Sequence, residues 1–206
     1  MGYVTPTEVQ ARSIPPLRAG RDLIGQAQTG TGKTAAFGIP IVEQVDPANP
    51  SVQALVLTPT RELCQQVTDE IGRIGRLRNV KTVAIYGGAA IDRQINALER
   101  GAQVVVGTPG RVLDLIRRRE LRLDAVRIVI LDEADRMLDM GFIVDVETIL
   151  ARCPRQRQTA LFSATMPAEI RGLAERHLYD PVTVKVKSAT LTIDTVEQFF
   201  VETKPA

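Results

Sequence analysis

Ala27-Gln28-Thr29-Gly30-Thr31-Gly32-Lys33-Thr34 follows the short apolar run Asp22-Leu23-Ile24-Gly25 and opens a periodic apolar segment, Ala35 to Val45. Strand, glycine-rich turn and helix in that order is the context a phosphate-binding P-loop requires. Its glycines let backbone N–H groups converge on an anion, and the helix start adds unsatisfied donors and the positive end of a dipole. Lys33 then supplies a full charge to the terminal phosphates and Thr34 a hydroxyl for Mg²⁺. One position departs from the general pattern: Ala27 stands where the first glycine is usual. A methyl group is tolerated there only if the backbone stays in an ordinary φ/ψ region. A Gly/Thr-rich turn with no ligand is the bland alternative, and Lys33 argues against it.

Working outward, short β-branched runs alternate with helical patterns along the whole chain. The expected strands are 23–26, 54–58, 82–86, 103–107, 127–131, 159–163 and 182–186. The expected helices are 34–45, 61–75, 91–99, 110–119, 141–151 and 167–178. Val104-Val105-Val106 and Ile128-Val129-Ile130-Leu131 are apolar without interruption. Such strands are buried on both faces, as in a parallel sheet covered by helices. Right-handed crossovers then give a doubly wound α/β domain whose ligands bind beyond the carboxyl ends of the strands. The polar clusters at 27–34, 58–61, 107–111, 132–135 and 163–165 all follow strands, as that rule demands. Beyond Lys187 the pattern changes, and residues 188–206 read as a linker and the start of a second domain, or as a further strand of the same sheet.

Composition bounds the rest. The 206 residues suit one large domain, and 44% apolar content is ample for a core. A net charge of +2 argues for no particular partner. The cations are 21 Arg and 5 Lys; guanidinium groups suit bidentate phosphate contacts and ion pairs, but a GC-rich genome or a thermophilic source explains the same bias. Cys64 and Cys153 have no metal-ligand spacing and suit reduced thiols in a cytoplasmic protein. His177 is alone, which excludes a His-based metal site or triad within the chain. No stretch reaches membrane-spanning length.

Ile128 to Asp135 is the second informative stretch. An apolar strand ending in Asp132 brings a carboxylate to the Mg²⁺ bridging two phosphates. Glu133, one residue on, is suited to orient or deprotonate an attacking water. A solvated acidic turn is the alternative, and the presence of the P-loop weighs against it.

Asp132-Glu133-Ala134-Asp135 spells the name of the DEAD-box RNA helicases, and the chain resembles the first RecA-like domain of that family from Gly2 to about Val186. Pro6-Thr7-Glu8-Val9-Gln10 resembles the Q motif. Ala27–Thr34 resembles the family's P-loop, alanine included. Pro59-Thr60-Arg61-Glu62-Leu63, Gly87-Gly88 and Thr108-Pro109-Gly110-Arg111 look like its RNA-facing motifs, and Ser163-Ala164-Thr165 like the motif coupling ATP to RNA. The arginine bias suits a thermophilic member of the heat-resistant RNA-dependent ATPase type.

This resemblance implies a RecA-like P-loop domain over residues 1–187, with ATP and Mg²⁺ as cofactors. It implies adenine recognition by Gln10, phosphate binding by Gln28, Thr29, Gly30, Thr31, Gly32, Lys33 and Thr34, and Mg²⁺ at Thr34 and Asp132. Catalysis would rest on Glu133, Lys33 and Asp132. Backbone contacts to RNA would come from Thr60, Arg61, Gly88, Thr108, Gly110 and Arg111, without sequence preference. Asp135, Ser163 and Thr165 would couple the two ligands. Several of these have local explanations: Thr7-x-x-Gln10 is also a helix capping box, Arg61 could pair with a nearby carboxylate, and Ser163/Thr165 could form an ST-turn. The family's adenine-stacking aromatic would lie upstream of Met1, and its transition-state arginines in a C-terminal RecA-like domain, so these residues alone are expected to bind nucleotide without unwinding. A non-catalytic nucleotide-binding adaptor and a P-loop transporter ATPase are the rival readings; Glu133 weighs against the first and the RNA-facing motifs against the second.

Overall fold

The apolar runs pair side by side, because strands buried on both faces can satisfy their backbone groups only with one another. In the computed structural model, which describes residues 5–186, seven strands form one sheet. They are β1 (Leu23–Gln26), β2 (Ala54–Leu57), β3 (Thr82–Ile85), β4 (Val104–Gly107), β5 (Ile128–Leu131), β6 (Gln158–Ser163) and β7 (Val182–Lys185). Their order is β3-β4-β2-β5-β6-β1-β7, and every pairing is parallel. Each expected strand is present to within a residue at either end. Residues 188–206, expected to be a linker and the start of a second domain, lie outside the described residues.

Eight α-helices cover the sheet among the described residues: α1 (Glu8–Arg18), α2 (Lys33–Gln44), α3 (Arg61–Gly75), α4 (Ile91–Glu99), α5 (Pro109–Arg117), α6 (Ala134–Asp139), α7 (Ile143–Leu150) and α8 (Ala168–His177). Two of them, α1 and α6, go beyond the expected set. Helix α1 contains Pro15 and Pro16, which interrupt a helical pattern in sequence, yet a complete capping box between Thr7 and Gln10 holds its start. Helix α6 is six residues long, too short to display a period.

Alternation along each central strand divides the core in two. Leu55, Leu57, Val105, Val129, Leu131 and Leu161 face one layer, packed against α4 to α8. Ala54, Val56, Val104, Val106, Ile130 and Phe162 face the other, under α1, α2 and α3. The Phe37 ring of α2 meets Phe162 of β6 at 5.4 Å, which seats the P-loop helix on the sheet.

Register keeps the carboxyl ends of the strands within two residues of one another. Gln26 lies opposite Ser163, Leu57 opposite Leu131, and Leu57 opposite Gly107. Beyond the last paired residues the backbone continues to bond from strand to strand: Ala27 N–H to Ser163 O at 3.1 Å, Asp132 N–H to Leu57 O at 2.9 Å, Thr58 N–H to Gly107 O at 3.0 Å and Thr108 N–H to Ile85 O at 2.9 Å. The first residues of the functional loops are therefore as fixed as the strands.

Gly25 of β1 sits opposite Phe162, and a Cβ built there would fall inside the contact radius of the phenyl ring. Both are walled in, so Gly25→Ala is expected to destabilise the domain by about 1–3 kcal/mol through overpacking. Urea denaturation checks this as a lowered midpoint at unchanged slope.

Candidate functional site

The P-loop leaves β1 and enters α2 through two glycines in the left-handed region, Gly30 at φ 77° and Gly32 at φ 89°. Ala27 is buried and is not among the positive-φ residues, so its methyl group is accommodated in ordinary backbone. Thr31 Oγ1 donates to Gln28 O at 2.8 Å and closes the turn; the side chains of Gln28 and Thr31 do not line the cleft beside the loop. That cleft has a volume of about 750 Å³ and is lined by Gln10, Thr29, Lys33, Thr34, Asp132 and Glu133, among others.

Gln10 makes its helix cap and reaches the P-loop as well. Its Oε1 accepts the Thr7 N–H at 3.0 Å, and its N–H donates to Thr7 Oγ1 at 3.4 Å, completing the cap. Its Nε2 also donates to Gly32 O at 3.1 Å, across to the P-loop. A carboxamide has two donor hydrogens and two acceptor lone pairs, so one of each is left for a ligand.

Lys33 is buried. Its Nζ donates to Ala27 O at 3.1 Å and stands 4.0 Å from Asp132 Oδ1. Asp132, at the end of β5, is 2% exposed, and its Oδ1 accepts the Glu133 N–H at 3.0 Å. Burial pushes its carboxyl up to about 6, against the pull of the Lys33 charge. Glu133 turns the chain from strand to helix at φ 52°, ψ 52°, a conformation that residues with a Cβ avoid and that concentrates at functional sites. Its carboxylate accepts from Arg136 at 3.4 Å.

Asp135 links this turn to the end of β6. Its N–H donates to Ser163 Oγ at 3.1 Å, and its Oδ2 accepts both the N–H and the hydroxyl of Thr165, at 2.8 and 2.9 Å. Partial burial acts to raise its carboxyl, but the bonds from Thr165 and Ser163 outweigh this and hold it below the usual range. The Ser163-Ala164-Thr165 segment is thus tied to the acidic turn rather than spent on a local turn of its own.

The remaining candidates follow β2, β3 and β4, the other half of the sheet edge. Thr60 caps α3, its Oγ1 accepting the Leu63 N–H at 3.2 Å. Arg61 pairs with no carboxylate among the described residues; it lies over the ring of Tyr86 at 5.1 Å. Gly88 has φ 77°, and a Cβ added to Gly110 would meet nothing within 4 Å. Thr108 precedes α5, with Pro109 in its first turn. Arg111 turns inward: its Nη1 donates to Ala89 O at 3.2 Å, and Asp114 stands at 4.0 Å, so it braces the Gly87-Gly88 loop. Sequence reading passed over Arg136, Tyr86 and Gln94: Arg136 serves Glu133 from three residues away, while Tyr86 meets Gln94 on α4 and Gln65 on α3. An aromatic residue directly before Gly-Gly was the one visible signal among them.

This edge, phosphate loop and acidic turn on one side and small polar loops on the other, matches a known family profile. The profile of the DEAD/DEAH box helicases aligns with residues 7–173. The chain belongs to that family. It is 53% identical over 202 residues to the DEAD-box ATP-dependent RNA helicase CshA of Bacillus licheniformis, an alignment covering 98% of this chain and 42% of that protein. It is 54% identical to the CshA of Geobacillus kaustophilus, covering 98% and 43%. A DEAD box protein from the hyperthermophile Methanococcus jannaschii superposes with a TM-score of 0.86 at 50% identity, over 90% of this chain and 51% of that one. The chain therefore spans less than half the length of these CshA helicases. No described helix is long and apolar enough to cross a membrane.

The buried DEAD-box aspartate predicts a pH dependence of stability. The fold holds the Asp132 proton more tightly than the unfolded chain does, so this group favours folding below about pH 4. That advantage is lost as pH rises through about 6. Asp132→Asn should match the parent near pH 4 and exceed it by about 3 kcal/mol at pH 7 without ligands. Paired urea titrations across that range provide the measurement, and a constant difference would contradict it.

Proposed function

We propose that this chain is the ATP- and RNA-binding half of a DEAD-box RNA helicase that couples ATP hydrolysis to local unwinding of RNA duplexes. The carrying observation is the set of contacts that joins Lys33 to Asp132, Asp132 to Glu133, Glu133 to Asp135 by way of Arg136, and Asp135 to Ser163 and Thr165. A site that only held nucleotide would have no use for a carboxylate poised beside the phosphates and a hydrogen-bonded route away from them.

In this reading Gln10 recognises adenine with its remaining donor and acceptor, and the backbone N–H groups of residues 28–34 cradle the phosphates. Lys33 leaves its carbonyl partner to balance charge on the terminal phosphate. One carboxylate and one hydroxyl, Asp132 and Thr34, suit Mg²⁺, which keeps several waters and takes its other ligands from phosphates. When bound, the ion neutralises charge on the β- and γ-oxygens. Glu133 orients the water that attacks the γ-phosphorus in line and accepts its proton. Asp135, Ser163 and Thr165 carry the change at the phosphates towards the RNA side. Thr60, Arg61, Gly88, Thr108 and Gly110 meet the sugar–phosphate backbone, with Arg111 holding their loop in shape. A C-terminal RecA-like domain of the same protein closes over both ligands. The reading carries with it a cytoplasmic location and, from the arginine-rich charge complement, a thermophilic source.

Arginines from that second domain would meet the transition state, and lacking such a finger slows turnover by about 10³–10⁵. The isolated 206-residue chain is therefore expected to bind ATP with negligible RNA-stimulated hydrolysis. In the full-length protein, Glu133→Gln should retain ATP binding and lose about 10²–10⁴ in turnover, while Lys33→Ala should lose binding itself. Unimpaired turnover by the Glu133 variant in a coupled ATPase assay would reject the catalytic assignment.

A further inference from the structure

Tyr86 follows β3 directly and precedes Gly87-Gly88, and it is held at three points. The buried carboxamide of Gln94 on α4 grips its backbone, Oε1 accepting the Tyr86 N–H at 3.2 Å and Nε2 donating to its carbonyl at 3.0 Å. These bonds occupy the outer polar groups that an edge strand would leave open. On the other side, Gln65 Nε2 on α3 donates to the phenol oxygen at 2.7 Å. The ring so fixed lies under the Arg61 guanidinium at 5.1 Å from its centroid, within cation–π range. A Cβ added to Gly88 would find Arg61 Nη1 as its nearest neighbour, at 3.9 Å.

We infer that Tyr86 is a positioning residue for RNA binding: its anchored ring holds the exposed Arg61 guanidinium beside the Gly88 loop, ready for a backbone phosphate. Arginine carries large rotamer freedom, which ordering at a binding surface removes. Stacking on a planar ring removes part of it in advance while leaving the N–H edges of the guanidinium open to a phosphate. No carboxylate among the described residues competes for that charge. Gln94 and Gln65 serve the ring, and the ring serves Arg61. The inference rests on the RNA-binding reading above and adds to it a residue that need not touch RNA.

The test uses the full-length helicase carrying this chain, with a non-hydrolysable ATP analogue and a fluorescent single-stranded oligouridylate, titrated at several salt concentrations. Arg61→Ala should weaken binding and lower the salt slope by about 0.7, the share of one single-strand phosphate contact. Tyr86→Leu should weaken binding about threefold, Tyr86→Phe, which keeps the ring but loses the bond from Gln65, should weaken it less, by about twofold, and the Arg61→Ala/Tyr86→Leu double variant should bind no worse than Arg61→Ala. Gln65→Leu, a change at an exposed position of α3, should weaken binding in the same direction and keeps the test open if Tyr86→Leu fails to fold. Normal binding by folded Tyr86→Leu, or by Gln65→Leu where Tyr86→Leu does not fold, overturns the inference while Arg61→Ala is impaired. Additive losses in the double variant overturn it too, because Tyr86 would then act independently. Normal binding by Arg61→Ala overturns the RNA reading itself and the inference with it.

Discussion

A parallel sheet buried on both faces imposes the arrangement of everything else. Because every pairing is parallel, each connection leaves the carboxyl end of a strand and crosses a face as a helix to reach the amino end of the next. With Gln26, Leu57, Gly107, Leu131 and Ser163 at or near one level, the loops that follow emerge along one edge. Strand order then sorts the chemistry. The P-loop, the Ser163–Thr165 segment and the acidic turn follow β1, β6 and β5, while the small polar loops follow β2, β4 and β3. The acidic turn, on the central strand, borders both groups.

The individual elements were legible because burial on both faces writes itself as uninterrupted β-branched runs, as in Val104–Val106. Their order was not, since lateral neighbours such as β1 and β6 share no local signal. Helix α1 hid behind Pro15 and Pro16, although its capping box announced where it starts. At the site, residues whose chemistry is local were readable: Lys33 in its loop, Asp132 at its strand end. Residues whose work depends on a distant partner were ambiguous or unseen. Gln10 offered cap or ligand contact and makes a cap and a loop contact together. Arg111 read as a candidate for RNA contact, and in the fold its guanidinium donates to the carbonyl of Ala89. Tyr86 and Gln94 gained meaning only when β3, α3 and α4 came together.

The acidic turn sets stability against readiness. Asp132 is almost wholly buried, with Lys33 at the outer limit of ion-pair distance, so its ionisation opposes folding at neutral pH. Glu133 adds a left-handed backbone that glycine would adopt freely, but glycine carries no carboxylate. Both strains are concentrated in two adjacent residues, and both are held by the stiffest part of the sheet. Asp135 lies on the opposite side of this balance: its carboxylate is stabilised as an anion by Thr165 and Ser163, so the same short turn contains one carboxyl shifted up and one shifted down.

The bond from Lys33 to the carbonyl of Ala27 changes how nucleotide affinity should be counted. A lysine waiting in solvent would add a new interaction when phosphate arrived. This one must surrender a buried hydrogen bond first, so capture is an exchange, and affinity measures the difference between two partners. A phosphate poor in charge would gain little over the carbonyl it displaces. On the reading proposed above, the resting loop would discriminate among phosphates by charge.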